Sequence, residues 1–463
     1  MSIALYIGFH VAWIISILVG VIFFAQALRT RRSPASTAAW LLLVVLVPVI
    51  GIVIYLVFGV RKSPHGMARR ESCLGMTRCE EVPEQEADLV DRMVRRFDLP
   101  GATVGNAMRI LPTGEECWQG LVDLIESAEK FIHIQTFVLH LDDVGSDIVE
   151  RLCEKAKAGV EVRLMVDAFG TLPTRYHHFK KLVQAGGKVV MFDPILRGRG
   201  HTNLRNHRKI AIADARKVFA GGTNIASEYL GPTPLADRWK DLSFVLEGPS
   251  VVNYCEIFCS DWAYAARENL GQSYVVPPEG IVAKGNDHIQ VVPSGPDLKD
   301  DVLYDAIIQA IFDAKTRVRC VTPYFIPDDT LMRALALAAK RGVQVDIVTP
   351  RKSNHGVANV ARGPYLRDLE EAGANILLYE PGMVHAKISL FDDNLAMIGS
   401  TNLDQRSLFL NYEVSALVWS GDAIKQTSQW VDALVEKSSR GTPPAGRTRQ
   451  VMEGLVQVAA PLL

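Results

Sequence analysis

The chain has 463 residues, with 50 Lys plus Arg against 51 Asp plus Glu. That length accommodates a membrane segment and two domains of ordinary size. The even charge balance gives no sign of a nucleic-acid partner, and none is expected. Seven cysteines, an odd number without CxxC or zinc-like spacing, read as structural thiols.

Ile3–Leu28 is apolar apart from His10, Ser16 and Gln26, and Ala38–Val60 carries no charge. Each is long enough to cross a hydrocarbon core of roughly 30 Å as a helix. Arg29, Arg31 and Arg32 lie between them, so residues 1–60 read as a two-helix transmembrane hairpin. The first stretch is longer than a signal-peptide core and lacks a charged leader. Five basic residues follow the second stretch (Arg61, Lys62, Arg69, Arg70, Arg78) against three in the turn. This count predicts a cytoplasmic catalytic part. Residues 61–105 are polar and broken by Pro and Gly, and read as a linker with a short helix around Glu86–Phe97.

The remainder reads as two α/β halves in the same order, 106–285 and 286–463. In the first half, helix is expected at Cys117–Glu129 and Ser146–Ala158. Strands are expected at Phe131–Phe137, Val160–Asp167 and Lys188–Phe192. In the second, helices are expected at Leu303–Ala314, Asp329–Arg341 and Tyr365–Ala372. Its strands are Arg317–Thr322, Val343–Thr349 and Asn375–Tyr379. Repetition at this scale indicates a duplicated domain.

Each half then reaches the same pattern, H-x-K-x4-D-x6-G-[GS]-T-N. The first copy is His207, Lys209, Asp214 and Gly221–Asn224; the second is His385, Lys387, Asp392 and Gly399–Asn402. The offset is 178 at every position (385 − 207 for the histidines). Side chains i and i+2 of a strand share a face, so each His projects with its Lys. The Asp falls in a hairpin turn. Histidine serves as nucleophile, base or acid near neutrality. Lysine supplies charge and donors for phosphoryl oxygens. The Thr and Asn add neutral donors, and the glycines allow close approach of a phosphate. Two copies facing one phosphorus form one composite site. That chemistry needs no metal, and no cofactor is expected.

The doubled motif resembles the phospholipase D superfamily, and within it the bacterial cardiolipin synthases. The resemblance covers nearly the whole chain, including the hairpin, Thr322–Asp328, Gly399–Ser407 and Asn411–Glu413. It implies two phospholipase D-type α/β domains in a bacterial inner-membrane protein. The substrate it implies is phosphatidylglycerol, with a phosphatidyl-histidine intermediate and cardiolipin plus glycerol as products. By analogy His207 is the nucleophile and His385 the acid/base, a ranking the residues alone leave open. Lys209, Lys387, Asn224 and Asn402 would hold the non-bridging oxygens. Asp214 and Asp392 belong to the catalytic pattern with a structural or charge-tuning role. Glu413 and Glu228 are candidates to orient a histidine, and Asp241 is similar. Gly222 stands where the second copy has Ser400. Arg197, Arg199 and Arg205 form a basic insert present only in the first copy. A phospholipase D-type hydrolase, another phosphatidyltransferase, a tethered nuclease and a non-catalytic scaffold are the alternatives. Oligomeric state is not legible.

Overall fold

The structure is a computed structural model. It describes residues 79–459 except 173, 175, 194–202, 278 and 420, together with 13, 14, 37, 40–44, 47, 51, 62 and 77. Most of the hairpin, and Arg197 and Arg199, lie outside the described residues. Among the described residues no helix is long and apolar enough to cross a membrane.

The elements of the first half are α1 (Leu89–Arg95), β1 (Thr103–Leu111), α2 (Gly114–Ser127), β2 (Phe131–Thr136), α3 (Asp143–Lys157), β3 (Glu161–Asp167), α4 (Lys180–Gln184), β4 (Lys188–Phe192), β5 (Ile210–Ala213), β6 (Lys217–Gly221), β7 (Ser243–Glu247) and α5 (Val251–Ala266). The second half has β8 (Asp287–Ser294), α6 (Val302–Asp313), β9 (Arg317–Val321), β10 (Phe325–Ile326), α7 (Asp329–Lys340), β11 (Gln344–Pro350), α8 (Gly356–Glu371), β12 (Asn375–Tyr379), β13 (Ile388–Phe391), β14 (Leu395–Gly399), β15 (Leu403–Asp404), α9 (Gln405–Phe409), β16 (Glu413–Val418), α10 (Gly421–Val435), β17 (Ser438–Arg440) and α11 (Arg447–Ala459).

The two halves share one 15-stranded sheet, ordered β17-β12-β11-β9-β13-β14-β16-β8-β1-β7-β6-β5-β2-β3-β4. The order reads almost as a palindrome about the antiparallel β8–β1 pair, as a duplicated unit joined at its first strand must. The outer strands β2, β3 and β4 run parallel, as do β9, β11 and β12. They are buried on both faces because helices cover both sides, and they carry buried polar residues such as His133, Gln135, Arg163 and Arg319 among the apolar ones.

One face of each half carries its own helices, α2 and α3 in the first and α6 to α8 in the second. The opposite face is shared. There α5, buried from Val251 to Tyr264, packs on β4 to β6 and reaches β8. Helix α10 packs on β12 and β14 and reaches β1. Helix α5 of the first half thus reaches the first strand of the second, and α10 of the second half the first strand of the first. The cysteine pair Cys255 and Cys259 lies inside α5 among apolar side chains, as unreactive thiols.

The stretch expected as a linker is integral from Cys79 onward. Glu81 bridges to Thr103, and α1 packs on α6 of the second half. Asp91 accepts hydrogen bonds from Ala102 N (3.1 Å) and from Gln290 Nε2 on β8 (3.0 Å). The expected helix at Tyr365 begins nine positions earlier, at Gly356. Pro364 lies inside this helix, where it forgoes one i→i−4 hydrogen bond.

Candidate active site

Strand β5 runs antiparallel to β2, with Ile210 opposite Gln135, so its N-terminal end lies beside the C-terminal end of β2. His207 and Lys209 precede that strand. His385 and Lys387 stand at the same point before β13, which pairs with β9. Both motifs therefore lie at the carboxyl edge of the parallel strands.

The halves are stitched together there by a reciprocal exchange. Just before β16 the chain crosses to the first half, where His207 N donates to Tyr412 O (2.9 Å) and Tyr412 N to Arg205 O (2.9 Å). Just before β7 it crosses the other way, with His385 N donating to Lys240 O (2.7 Å) and Lys240 N to Met383 O (2.8 Å). Each crossing delivers a carboxylate to the other half's histidine. His207 Nδ1 lies 3.0 Å from Glu413 Oε1, and His385 Nδ1 lies 2.6 Å from Asp241 Oδ2. All four side chains are buried.

The acceptors fix the His207 tautomer. Its Nδ1 also faces Ser400 O at 3.1 Å, and neither a carbonyl nor a carboxylate donates, so Nδ1 carries the proton. Nε2 keeps its lone pair. Burial pushes the His207 pKa down, and Glu413 partly opposes this. His385 is pushed further, to about 3, by burial and then by Lys387, against the pull of Asp241. Burial works to raise both carboxyls, but their cationic neighbours outweigh it. Glu413 is held below its ordinary value by His207 and Lys209, and Asp241 by Lys387 and His385.

Burial also lowers Lys209 to about 7, opposed by Glu413, and Lys387 to about 8, opposed by Asp241. Lys209 Nζ donates to His207 O (2.5 Å); Lys387 Nζ donates to His385 O and lies 2.8 Å from His385 Nδ1 and 3.1 Å from Nε2. The two lysines sense each other, and each histidine senses the other half's lysine, so the charges occupy one site. Aromatic rings wall it: Phe137 against His207 (4.8 Å), Tyr229 (5.0 Å) and Trp239 (5.6 Å) against His385.

Several expectations change. Asp214 and Asp392 do not face the chemistry. Asp214 sits at the far end of β5, about 16 Å along the strand from Lys209 at roughly 3.3 Å per residue. It accepts from the backbone N–H groups of Glu129, Lys130 and Phe131, each at 2.8 Å. Asp392 accepts likewise from Lys315 (3.0 Å), Thr316 (2.8 Å) and Arg317 (2.9 Å). Both have left-handed φ, +54° and +49°, which short polar side chains tolerate. They fasten each hairpin turn to the start of the neighbouring parallel strand.

Glu228 is not an orienting acid. Its carboxylate is partly exposed and faces His140 at 4.0 Å, and Asp241 occupies the place next to His385. The motif threonines bond within the sheet, Thr223 to Ser243 (2.8 Å) and Thr401 to Ser415 (3.3 Å), rather than facing a phosphate. The first glycine of each motif serves sheet packing. A Cβ on Gly221 would meet Ser243 Cα at 2.5 Å, and one on Gly399 would meet Val414 O at 2.3 Å.

Asn224 is buried, and its Oδ1 accepts from Val138 N (3.1 Å). Asn402 is buried, and among the described residues its Oδ1 has no partner. Arg205 reaches Asp193 O and Asp167, away from solvent. Arg208, the middle residue of the first motif, had no assigned role. It is fully buried, pairs with Asp261 (2.5 Å), and donates to Glu413 O and Ser294 O, both at 2.9 Å. It ties β5 to α5, β8 and β16. Among the described residues no group of three or more His, Cys, Asp or Glu is arranged to hold a metal ion.

Comparison with known proteins agrees with this architecture. The family described as "Cardiolipin synthase, PLD-like domain" matches residues 121–262 and 307–435, and "Phospholipase D-nuclease N-terminal" matches 11–59. Cardiolipin synthase 1 of Bacillus anthracis is 31% identical over an alignment covering 100% of this chain and 95% of that protein. The major cardiolipin synthase of Bacillus subtilis is 33% identical, with 84% and 85% covered. Among solved structures, phosphatidylserine synthase of Haemophilus influenzae superposes with a TM-score of 0.61 at 14% identity, covering 81% of this chain and 98% of that one, and shares the fold. Two matched domains, full-length relatives and the doubled motif place the chain in the family of bacterial cardiolipin synthases with phospholipase D-like domains.

Proposed function

We propose that the chain, a phosphatidyltransferase of this family, makes cardiolipin from two molecules of phosphatidylglycerol by a two-step transfer through His207. The observation that carries this reading is the reciprocal pairing of each motif histidine with a carboxylate from the other half, which makes one site of two motifs. His207 Nε2 attacks phosphorus, and the bond to the glycerol oxygen breaks. His385 protonates that oxygen and glycerol leaves. The substrate's negative charge offsets the two lysines and raises His385 enough to carry the proton. A hydroxyl of the second phosphatidylglycerol then gives its proton to His385 and attacks phosphorus, and the P–N bond breaks. Lys209 and Lys387 stabilise charge on the non-bridging oxygens in both steps; Asn224 and Asn402 add neutral contacts. Glu413 and Asp241 hold the imidazoles in place. Exclusion of water by the aromatic walls favours transfer over hydrolysis.

Residues 1–60 anchor the enzyme as a transmembrane hairpin, with the two halves on the cytoplasmic side of a bacterial inner membrane. The uncharged stretches, the basic-residue count and the N-terminal family match support this. Purified enzyme given phosphatidylglycerol as sole lipid should yield cardiolipin and glycerol in equal amounts by mass spectrometry. Phosphatidic acid as the main product would make it a hydrolase. A reporter fused after the last residue should be active only in the cytoplasm.

A further inference from the structure

The outer part of the second half carries a concave basic site separate from the two histidines. A cavity of about 400 Å³ lies between the end of β11, α8 and the start of α11. Arg351, Lys352, Arg362, Arg367 and Arg449 line it, and no acidic side chain does. At its base is Arg362, 6% exposed. Its guanidinium donates to Thr349 Oγ1 (3.0 Å) and to the carbonyls of Pro350 and Arg351 (each 2.6 Å). None of these is charged. Arginine buried to this degree ordinarily faces a carboxylate. Burial, with Arg449 nearby, lowers the Arg362 pKa to about 10.

The surrounding charge does not cancel. Glu453 pairs with both Arg367 and Arg449, and Glu380 with Arg351 at 2.9 Å. Glu370 bonds the backbone and hydroxyl of Thr442. Five cations against three carboxylates leave a surplus of two, and among the described residues Lys352 and Arg362 have no acidic partner. The end of β11 is two strands from β13, with β9 between, on the carboxyl edge where His385 lies. Two strand spacings are about 10 Å.

We propose that this cavity binds a phosphate-bearing anion of glycerophosphate size, at a site distinct from the reacting phosphorus. Guanidinium forks match the paired oxygens of phosphate, and the volume suits a small polar group. The source is either the headgroup of an anionic phospholipid or a free phosphate ester.

Arginine modification by phenylglyoxal on the full-length chain in uncharged detergent, read by peptide mass spectrometry, tests this without turnover. Arg351 and Arg449 have side chains 49% and 46% exposed, and Arg96, outside the cavity, is 76% exposed as a control. Inorganic phosphate, phosphatidylglycerol in mixed micelles, phosphatidylcholine in the same micelles and sodium chloride at matched ionic strength are compared. Protection of Arg351 and Arg449 but not Arg96 is expected. Protection by phosphatidylglycerol alone assigns the headgroup; protection by inorganic phosphate as well assigns a free anion. Lys352→Gln, an exposed change, should raise the half-protecting concentration by roughly tenfold, the equivalent of one charge-assisted hydrogen bond. Arg362→Lys, which keeps charge but loses the fork, should also weaken protection. Unchanged labelling in every arm, or equal protection by phosphatidylcholine or sodium chloride, would overturn the proposal.

Discussion

In the first half-site, the imidazole is held at one nitrogen and open at the other. His207 Nδ1 is engaged by Glu413 and Ser400 O, while Nε2 has no hydrogen-bond partner among the described residues. In the second, Asp241 engages His385 Nδ1 and the Lys387 ammonium lies near both ring nitrogens. An ammonium competes for a lone pair, which suits a group that passes protons rather than one that attacks. The acids differ in a matched way. Glu413, the longer, is steadied by the Ser400 hydroxyl at 2.5 Å. Asp241, the shorter, packs on Gly222, where a Cβ would meet its Oδ1 at 2.1 Å. The missing hydroxyl at Gly222 is therefore a packing adjustment, not a lost substrate contact. The two half-sites thus share one plan and differ in small exchanges around each carboxylate.

The largest test of that asymmetry is to remove each histidine. His207→Ala and His385→Ala should each abolish turnover, by about 10⁵-fold or more, since members of one catalytic unit are not additive. A phosphodiester with a good leaving group, which needs no acid, should restore the first step in His385→Ala only. The adduct then accumulates on His207 and is seen by mass spectrometry after an alkaline quench, because a P–N bond is lost in acid. Rescue of His207→Ala instead would reverse the assignment.

Next are the acids. Glu413→Gln and Asp241→Asn keep size and remove charge, and each should lower kcat by roughly 10²–10⁴-fold, as when a histidine loses its orienting carboxylate. With the activated substrate, the Asp241→Asn defect should shrink and the Glu413→Gln defect should not. Equal behaviour would mean the half-sites are interchangeable.

These acids also mark how far the sequence could be read. The duplication and the α/β order of each half were legible because each depends on neighbours in the chain, whereas the motif His and Lys, expected on a strand, stand just before β5 and β13. Glu413 and Asp241 act on histidines 206 and 144 residues away, across the junction between halves. No local spacing carries that information. A signal existed in the repeated acid-apolar-Ser steps, Asp241-Leu242-Ser243 leading into β7 and Glu413-Val414-Ser415 opening β16. Glu228 was misleading because it is near in sequence to the motif, while the chain needed a crossing segment to deliver a carboxylate. Arg208 was illegible because its partners lie on α5, β8 and β16.

The lysines give a smaller, pH-dependent effect. With Lys209 at about 7 and Lys387 at about 8, kcat/KM should fall as pH rises through 7–8 and the free enzyme loses positive charge. Stability should move the other way. Both folded pKa values lie below the unfolded value near 10.4, so the unfolded chain binds more protons between about 7 and 10. Stability from these groups rises with pH across that window. Lys387→Met should flatten part of that rise in thermal melts taken from pH 7 to 10.

The smallest effects on chemistry belong to Asp214 and Asp392, despite their place in the motif. Each satisfies three backbone N–H groups at the start of a parallel strand, and Asp214 is the more buried. Asp214→Ala leaves those donors without an acceptor and removes the short polar side chain that makes positive φ tolerable, so it should cost about 2–3 kcal/mol in urea unfolding. Asp214→Asn retains one acceptor oxygen and tolerates the backbone, and should cost less. Asp392→Ala should cost less than Asp214→Ala, because water can reach the donors it abandons. In all three, the turnover of the folded fraction should stay within about twofold of the parent, far from the loss expected of a group at the reacting phosphorus. A hundredfold drop in kcat with unchanged unfolding would return the aspartates to the catalytic site and break the distinction between the end of β5 that reacts and the end that holds the turn.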